Sequence, residues 1–241
     1  MPQPMSWLQV LALCRSWLAK MVADEDPKPH ELSLIMAKAS LGYAHDTLDA
    51  VATELLAGRP LQAAVLVRTM FELAMRVRWA SLFDDGWNRL VAYWVRQHEW
   101  CLNEVGKWCL DAATRERVEQ SHEIYKTFLK DVACPQRREF DQVLAQVVER
   151  EDGSPNREWS GKLYTAYRDL CRYAHANMTA CAGGIPLPEV GRVLLVSIAH
   201  STVQFVKASC ATFGATLSKE QLDELYGLVG CAFDSTWDSE G

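Results

Sequence analysis

The sequence lacks several features by which common enzyme classes are recognised. No two of its eight cysteines are spaced Cys-x-x-Cys, and no two histidines are four residues apart. Zinc ribbons, thioredoxin-type redox sites and paired-histidine metal sites are therefore not expected. No glycine-rich loop is followed by Lys and then Ser or Thr, which excludes the standard phosphate loop. We accordingly expect neither a resident metal nor a cofactor.

A net positive charge is also missing. The 241 residues carry a formal charge of −6, which argues against a protein that coats nucleic acid through a uniformly basic surface. A local basic cleft is still compatible with that total. Nearly all the cysteines lie in apolar helical context, which is typical of reduced thiols in the cytoplasm, and we expect a cytoplasmic location.

The third absence is of strands, because no segment alternates apolar and polar residues over a strand length. Apolar residues recur instead with the helical period almost throughout. The predicted fold class is therefore an all-α multi-helix bundle. The predicted helices lie at about 6–22, 30–56, 60–83, 87–110, 115–132, 157–179 and 190–213. A short helix is also predicted after the break at Cys134 and Pro135, ending near 150, and a last one after Ser218.

The chain divides by pattern into three parts. Residues 1–29 are predicted to be a docking helix and a linker, 30–215 the main bundle, and 216–241 a C-terminal helix with a frayed tail. The first helix is apolar but carries Arg15 and Lys20 and is too short to span a bilayer. We expect it to dock on protein, with association at a membrane surface as the alternative.

One predicted helix concentrates side chains suited to chemistry. Arg168 and His175 are seven positions apart, so they fall within about 20° of each other around the helix axis. Arg172 shares that side, and Tyr164 lies one turn before Arg168. Such a row can bind an anion and transfer a proton. The alternative is a solvated or ion-paired helix face.

A second charged strip lies on the helix predicted for residues 60–83, which is otherwise apolar on most of its surface. Arg68, Glu72 and Arg76 are spaced i, i+4 and i+8. They could be the solvent edge of the helix, with Arg68 and Glu72 as an ordinary exposed ion pair. They could instead face the row of Arg168 and His175, with Glu72 orienting an arginine or the histidine. Spacing alone leaves both open.

These two helices together resemble those of a group of bacterial all-helical proteins. In that group an Arg-x-x-x-Glu helix precedes a Tyr-x-x-x-Ser-x-x-x-His helix. The matching residues here are Arg68 and Glu72, followed by Tyr167, Cys171 and His175, with Cys in the place of Ser. The group in turn resembles the HEPN superfamily of helical bundles. The resemblance covers roughly residues 35–210.

The resemblance implies a metal-independent endoribonuclease. HEPN ribonucleases carry an Arg and a His on one helix with four to six residues between them, and six residues separate Arg168 from His175. In such chemistry the RNA 2′-hydroxyl attacks the adjacent phosphorus. His175 would be the general acid or base, and Arg168 would bind the phosphate and stabilise its developing charge.

The remaining site residues follow from the same resemblance. Arg172 would add a second phosphate contact, and Tyr164 would orient the phosphate or stack on a base. Arg68 and Glu72 would support the site from the other helix. The implied assembly is a homodimer in which two copies of the motif meet, acting on RNA, with a protein partner such as an antitoxin or a sensor. Such proteins serve in toxin–antitoxin systems and phage defence.

A non-catalytic helical module that binds a nucleotide or a protein partner is the main alternative. The acidic total charge and the wide spacing from Arg168 to His175 favour it. A metalloenzyme is a weaker hypothesis, for which the notable feature is that His45 and Asp49 share one helix face, as do Asp46 and Asp49.

Overall fold

The computed structural model describes residues 5–23, 32–100, 111–128, 140–152, 157–174 and 187–235. In these ranges the secondary structure is helical and contains no β-strand, so the prediction of an all-α bundle is confirmed. The HEPN-like character of the bundle stays a prediction. The helices are α1 (Trp7–Ala23), α2 (Leu32–Leu56), α3 (Pro60–Ser81), α4 (Gly86–Trp100), α5 (Ala112–Phe128), α6 (Phe140–Asp152), α7 (Arg157–Ala174), α8 (Leu187–Phe213) and α9 (Lys219–Phe233).

Local signals account for several helix ends. Gly58 follows α2 with φ +68°, a left-handed conformation that glycine adopts without strain, and Pro60 opens α3. The side chain of Ser218 accepts a hydrogen bond from the backbone of Gln221, and the Gln221 side chain accepts one in return from the Ser218 backbone. This capping box starts α9 where the sequence predicts.

Several predicted boundaries are wrong by two or three residues, and one of them is the start of α8, which lies at Leu187 rather than at 190. Helix α5 begins at Ala112 rather than near residue 115, because the Asp111 carboxylate accepts a hydrogen bond of 2.7 Å from the backbone N–H of Thr114. The same bond lowers the pKa of Asp111. Helix α3 ends at Ser81 rather than 83, where Leu82 donates its N–H to the carbonyl of Trp79.

The core is built around α3 and α8, which pack against each other along their lengths. Helix α3 also contacts α2, α4, α6 and α7, whereas α8 contacts α1, α2, α7 and α9. Burial of each large apolar side chain contributes about 1.5–3 kcal/mol. The fully buried side chains on the two central helices include Met70, Phe71, Met75, Leu194, Leu195, Ile198 and Phe205.

The N-terminal helix α1 belongs to the same core. It packs on α2, α8 and α9 and buries Val10, Cys14, Trp17 and Leu18. The Arg15 guanidinium bridges to α2, donating from Nε to His45 Nε2 at 3.1 Å and pairing with Asp49 at 3.0 Å. The helix therefore docks on its own chain. The pair of His45 and Asp49 is engaged in this bridge.

One helix within the described residues, Val190–Phe213 of α8, is long and apolar enough to cross a membrane by length and composition. In its most apolar window, 78% of the residues are buried inside the protein. The core helix of a bundle meets the same criteria. The finding is therefore weak evidence for membrane insertion.

Candidate functional site

Helix α7 divides its residues sharply between core and solvent. Leu163, Leu170 and Tyr173 are buried, and this face packs against α3, α6 and α8. Arg168 and Arg172 are exposed on the other side, at positions spaced four residues apart. Because α7 has one apolar face, its docking on the bundle turns the polar row outward.

Arg68, the first residue of the charged strip on α3, contacts α7 next to this polar row. Arg68 donates from Nε to Cys171 Sγ at 3.2 Å and from Nη2 to the Tyr167 hydroxyl at 3.4 Å. Its guanidinium carbon lies 5.8 Å from the centroid of the Tyr167 ring. A charged group of α3 thus reaches across to α7, about 100 residues away in sequence.

The two helices border an open cleft of about 850 Å³. Three guanidinium groups and one carboxylate contribute to its walls, so the cleft is locally basic in a protein that is acidic overall. Such a concentration of one sign of charge attracts anions. The lining residues are Arg68, Tyr164, Tyr167, Arg168, Asp169, Cys171 and Arg172.

Two of these arginines interact with phenols, which stabilise a guanidinium that is already a cation at neutral pH. The hydrogen bond to Tyr167 raises the pKa of Arg68, and the hydrogen bond to Tyr164 raises the pKa of Arg168. Burial is the main cause that raises the pKa of Tyr167, and the nearby charge of Glu72 adds to it. Like any phenol, Tyr167 is protonated at neutral pH and can donate a hydrogen bond.

Glu72 and Arg76 form an ion pair one turn further along α3, outside the residues that line the cleft. Oε1 of Glu72 accepts from Arg76 Nη2 at 2.9 Å and from Nε at 3.1 Å. The Arg76 guanidinium also lies 4.8 Å from the Tyr93 ring centroid and 5.8 Å from that of Phe140. Glu72 therefore orients Arg76.

Aromatic rings in tilted and edge-to-face contact support the wall of the cleft. The ring centroids of Tyr164 and Tyr167 are 6.4 Å apart, and those of Tyr167 and Phe140 are 4.2 Å apart. Phe140 in turn meets Phe71 of the core edge-on at 6.3 Å. The chain of rings runs from the solvent-exposed Tyr164 to a fully buried residue, so the wall is anchored in the core.

The structure places most, but not all, of the site residues predicted from sequence at this cleft. Arg68, Tyr164, Arg168 and Arg172 all line the cleft, whereas Glu72 lies beside it. His175, the predicted general acid or base, lies outside the described residues.

The sequence-based site prediction omitted three lining residues. They are Tyr167, Asp169 and Cys171. Tyr167 and Cys171 stand in the Tyr-x-x-x-Cys-x-x-x-His pattern, and that spacing was the available signal for them. Asp169 directly follows Arg168, a place at which the resembled HEPN family favours a polar residue.

Metal ligands are not assembled in the described part of the chain. Across residues 5–235, apart from the undescribed gaps, no group of three or more His, Cys, Asp and Glu side chains could hold a metal ion. The cleft itself offers one carboxylate and one thiol among three cations. This mostly cationic lining suits an anion better than a metal ion.

Comparisons with known proteins give no relative for this chain: no family model matches it, and no curated protein or solved structure is significantly similar. The functional argument therefore depends on the geometry of the cleft and on the sequence pattern.

Proposed function

We propose that this protein is a cytoplasmic, metal-independent endoribonuclease of the HEPN type, and that the cleft between α3 and α7 binds the RNA backbone. One observation carries the proposal. Arg68 of α3 meets Arg168 and Arg172 of α7 at a single open cleft. Three guanidinium groups at one cleft suit a phosphodiester, because charge-assisted hydrogen bonds from arginine to phosphate are short and directional.

The proposed reaction needs no metal. The 2′-hydroxyl of one nucleotide attacks the adjacent phosphorus, the P–O5′ bond breaks, and a 2′,3′-cyclic phosphate and a 5′-hydroxyl result. Arg168 binds the phosphate and stabilises the charge that builds on its oxygens, and Arg172 adds a second contact. His175, next in sequence after the last described residue of α7, is the general acid or base: it takes the proton of the attacking 2′-hydroxyl or gives one to the leaving 5′-oxygen, and water exchanges the other proton.

The wider setting belongs to the same proposal. The active form is a homodimer in which the two clefts adjoin, and a protein partner such as an antitoxin or a sensor controls it. A role in toxin–antitoxin systems or phage defence is what the resemblance to HEPN ribonucleases implies. Tyr164, whose side chain is about one-third exposed at the rim of the cleft, offers a surface on which a base can stack.

The test is cleavage of labelled single-stranded RNA in EDTA by the full chain and by two variants, Arg168→Ala and His175→Ala. Lys162→Ala is the matched control, because Lys162 is an exposed cation of α7 that pairs with Glu158 and does not line the cleft. We expect EDTA-resistant cleavage with cyclic phosphate ends in the wild type and the control only. Equal cleavage by all four proteins would point to a contaminating nuclease.

A non-catalytic module that binds a nucleotide or a protein partner is the second candidate. One observation favours it: Arg68 donates hydrogen bonds to Tyr167 and Cys171, and such contacts can serve simply to hold α3 and α7 together. Under this alternative, Arg168→Ala weakens binding of a phosphate-bearing ligand, RNA stays intact in every sample, and His175→Ala leaves binding unchanged.

A further inference from the structure

The contacts of Arg68 are unusual for an arginine that binds an anion directly. The Nε–Nη2 edge of its guanidinium, which can grip two oxygens of a phosphate, is occupied by Cys171 and Tyr167. Sulfur is a weak acceptor, and 3.4 Å is long for an N–H···O hydrogen bond. Neither contact is strong, but the two acceptors lie one turn apart on α7 and engage the same edge.

These two contacts restrict the guanidinium without using up its donors. A guanidinium has five N–H groups, and the contacts with α7 engage two of them. The other three have no acceptor among the described residues, and Arg68 lines the cleft. An arginine that is already held in one orientation loses less conformational freedom when a ligand binds.

Tyr167 is itself held in place. Its ring packs on Phe140 at 4.2 Å, and Phe140 is buried in the core. Its hydroxyl accepts from Arg68 and is also hydrogen-bonded to Cys171. The three side chains form one small network, which is attached to the core on the α7 side.

We propose that Tyr167 and Cys171 are positioning residues that hold Arg68 as the third anion contact of the cleft, for a ligand with a phosphodiester or pyrophosphate group. The inference rests on the proposed function in that it concerns the same cleft. It goes beyond it by assigning the two residues a role in binding that acts only through Arg68.

Pyrophosphate is the probe, titrated calorimetrically into the full chain at low salt. Tyr167→Phe removes one acceptor of Arg68, and Cys171→Ala removes the other. We expect each variant to bind pyrophosphate about three- to tenfold more weakly, because a less restricted Arg68 loses more conformational freedom when the ligand binds. Cys171→Ser keeps an acceptor at that position and should retain wild-type affinity. Circular dichroism checks that each variant is folded.

A double-mutant cycle separates positioning from direct contact. In an Arg68→Ala background, Tyr167→Phe should have no further effect, because the residue acts only through Arg68. If Tyr167→Phe weakens pyrophosphate binding as much in that background as in the wild type, the inference is overturned, and Tyr167 contacts the ligand directly. Tighter binding by Tyr167→Phe would also overturn it, since Tyr167 would then compete with the ligand for Arg68. Absence of pyrophosphate binding by the wild type would do the same.

The outcome for RNA is independent of this cycle. If pyrophosphate binds with the expected coupling but RNA is neither bound nor cut, the ribonuclease proposal fails and the positioning role stands. If RNA is cleaved and Arg168→Ala abolishes cleavage, but the cycle shows no coupling, the positioning role fails and the ribonuclease proposal stands.

Discussion

Replacement of Glu72 by Gln isolates the charge of the ion pair beside the cleft. The change keeps an oxygen that can accept from Arg76 but removes the counter-charge of a guanidinium whose side chain is only 14% exposed. Breaking a fully buried pair costs about 3–5 kcal/mol, whereas an exposed pair on one helix contributes about 0.3–0.5 kcal/mol. Since Glu72 is 29% exposed and Arg76 still lies over the Tyr93 ring, we expect a loss of about 1–2 kcal/mol.

Urea denaturation of the wild type and the variant measures this loss. Glu119→Gln is the control, because Glu119 also pairs with an arginine four residues away, Arg115, at 3.1 Å, although in the reverse order along the helix and with both side chains about half exposed. The control should lose at most about 0.5 kcal/mol. Equal losses for the two variants would refute the argument that partial burial sets the strength of the pair of Glu72 and Arg76.

Three further predictions concern stability. Burial raises the pKa of Cys14 from 9.0 to about 12, so the unfolded chain ionises first as the pH rises. The stability that the neutral Cys14 thiol contributes is fully present below pH 9 and is lost as the pH rises from 9 to 12. Between pH 8 and 10 the wild type should therefore lose about 1.4 kcal/mol more stability than Cys14→Ala, and equal losses in urea titrations would contradict this.

Gly42→Ala should stabilise the protein by about 0.5–1 kcal/mol, because Gly42 is inside α2 and an added Cβ meets nothing within 4 Å, whereas Gly58→Ala should cost about 1 kcal/mol at φ +68°. Thermal melts that shift in the same direction for both would contradict the assignment. Leu170→Ala should cost about 2–5 kcal/mol, since Leu170 is fully buried on α7, and a cost below about 1 kcal/mol would mean that α7 is not packed as described.

Helix content and most helix ends were predictable because their causes are local. The stop after α2 needs only Gly58 and the Pro60 that follows, and the start of α9 needs only Ser218 and Gln221. The early start of α5 was equally local, since Asp111 lies three residues before Thr114, but the pattern of apolar residues hid this cap. Signals of this kind act over three or four residues.

The candidate site was predictable in part. The polar row with Tyr164, Arg168 and Arg172 follows from the helical period. The partner of Glu72 is a case in which spacing was insufficient, because Arg68 and Arg76 are each four residues from it. The structure pairs Glu72 with Arg76, and a carboxylate on the N-terminal side of its cation is the better orientation on a helix.

The amino-acid sequence by itself determined the helical class, the apolar faces and the polar row of α7, since each depends on neighbours within a few turns. Only the tertiary structure decided that the side chain of Arg68 reaches α7, where it contacts Tyr167 and Cys171, 99 and 103 residues away in sequence. The reason is physical: apolar packing against the buried α3 sets how α7 is placed and rotated, and that packing is the sum of contacts from several helices. The cleft exists because of that packing.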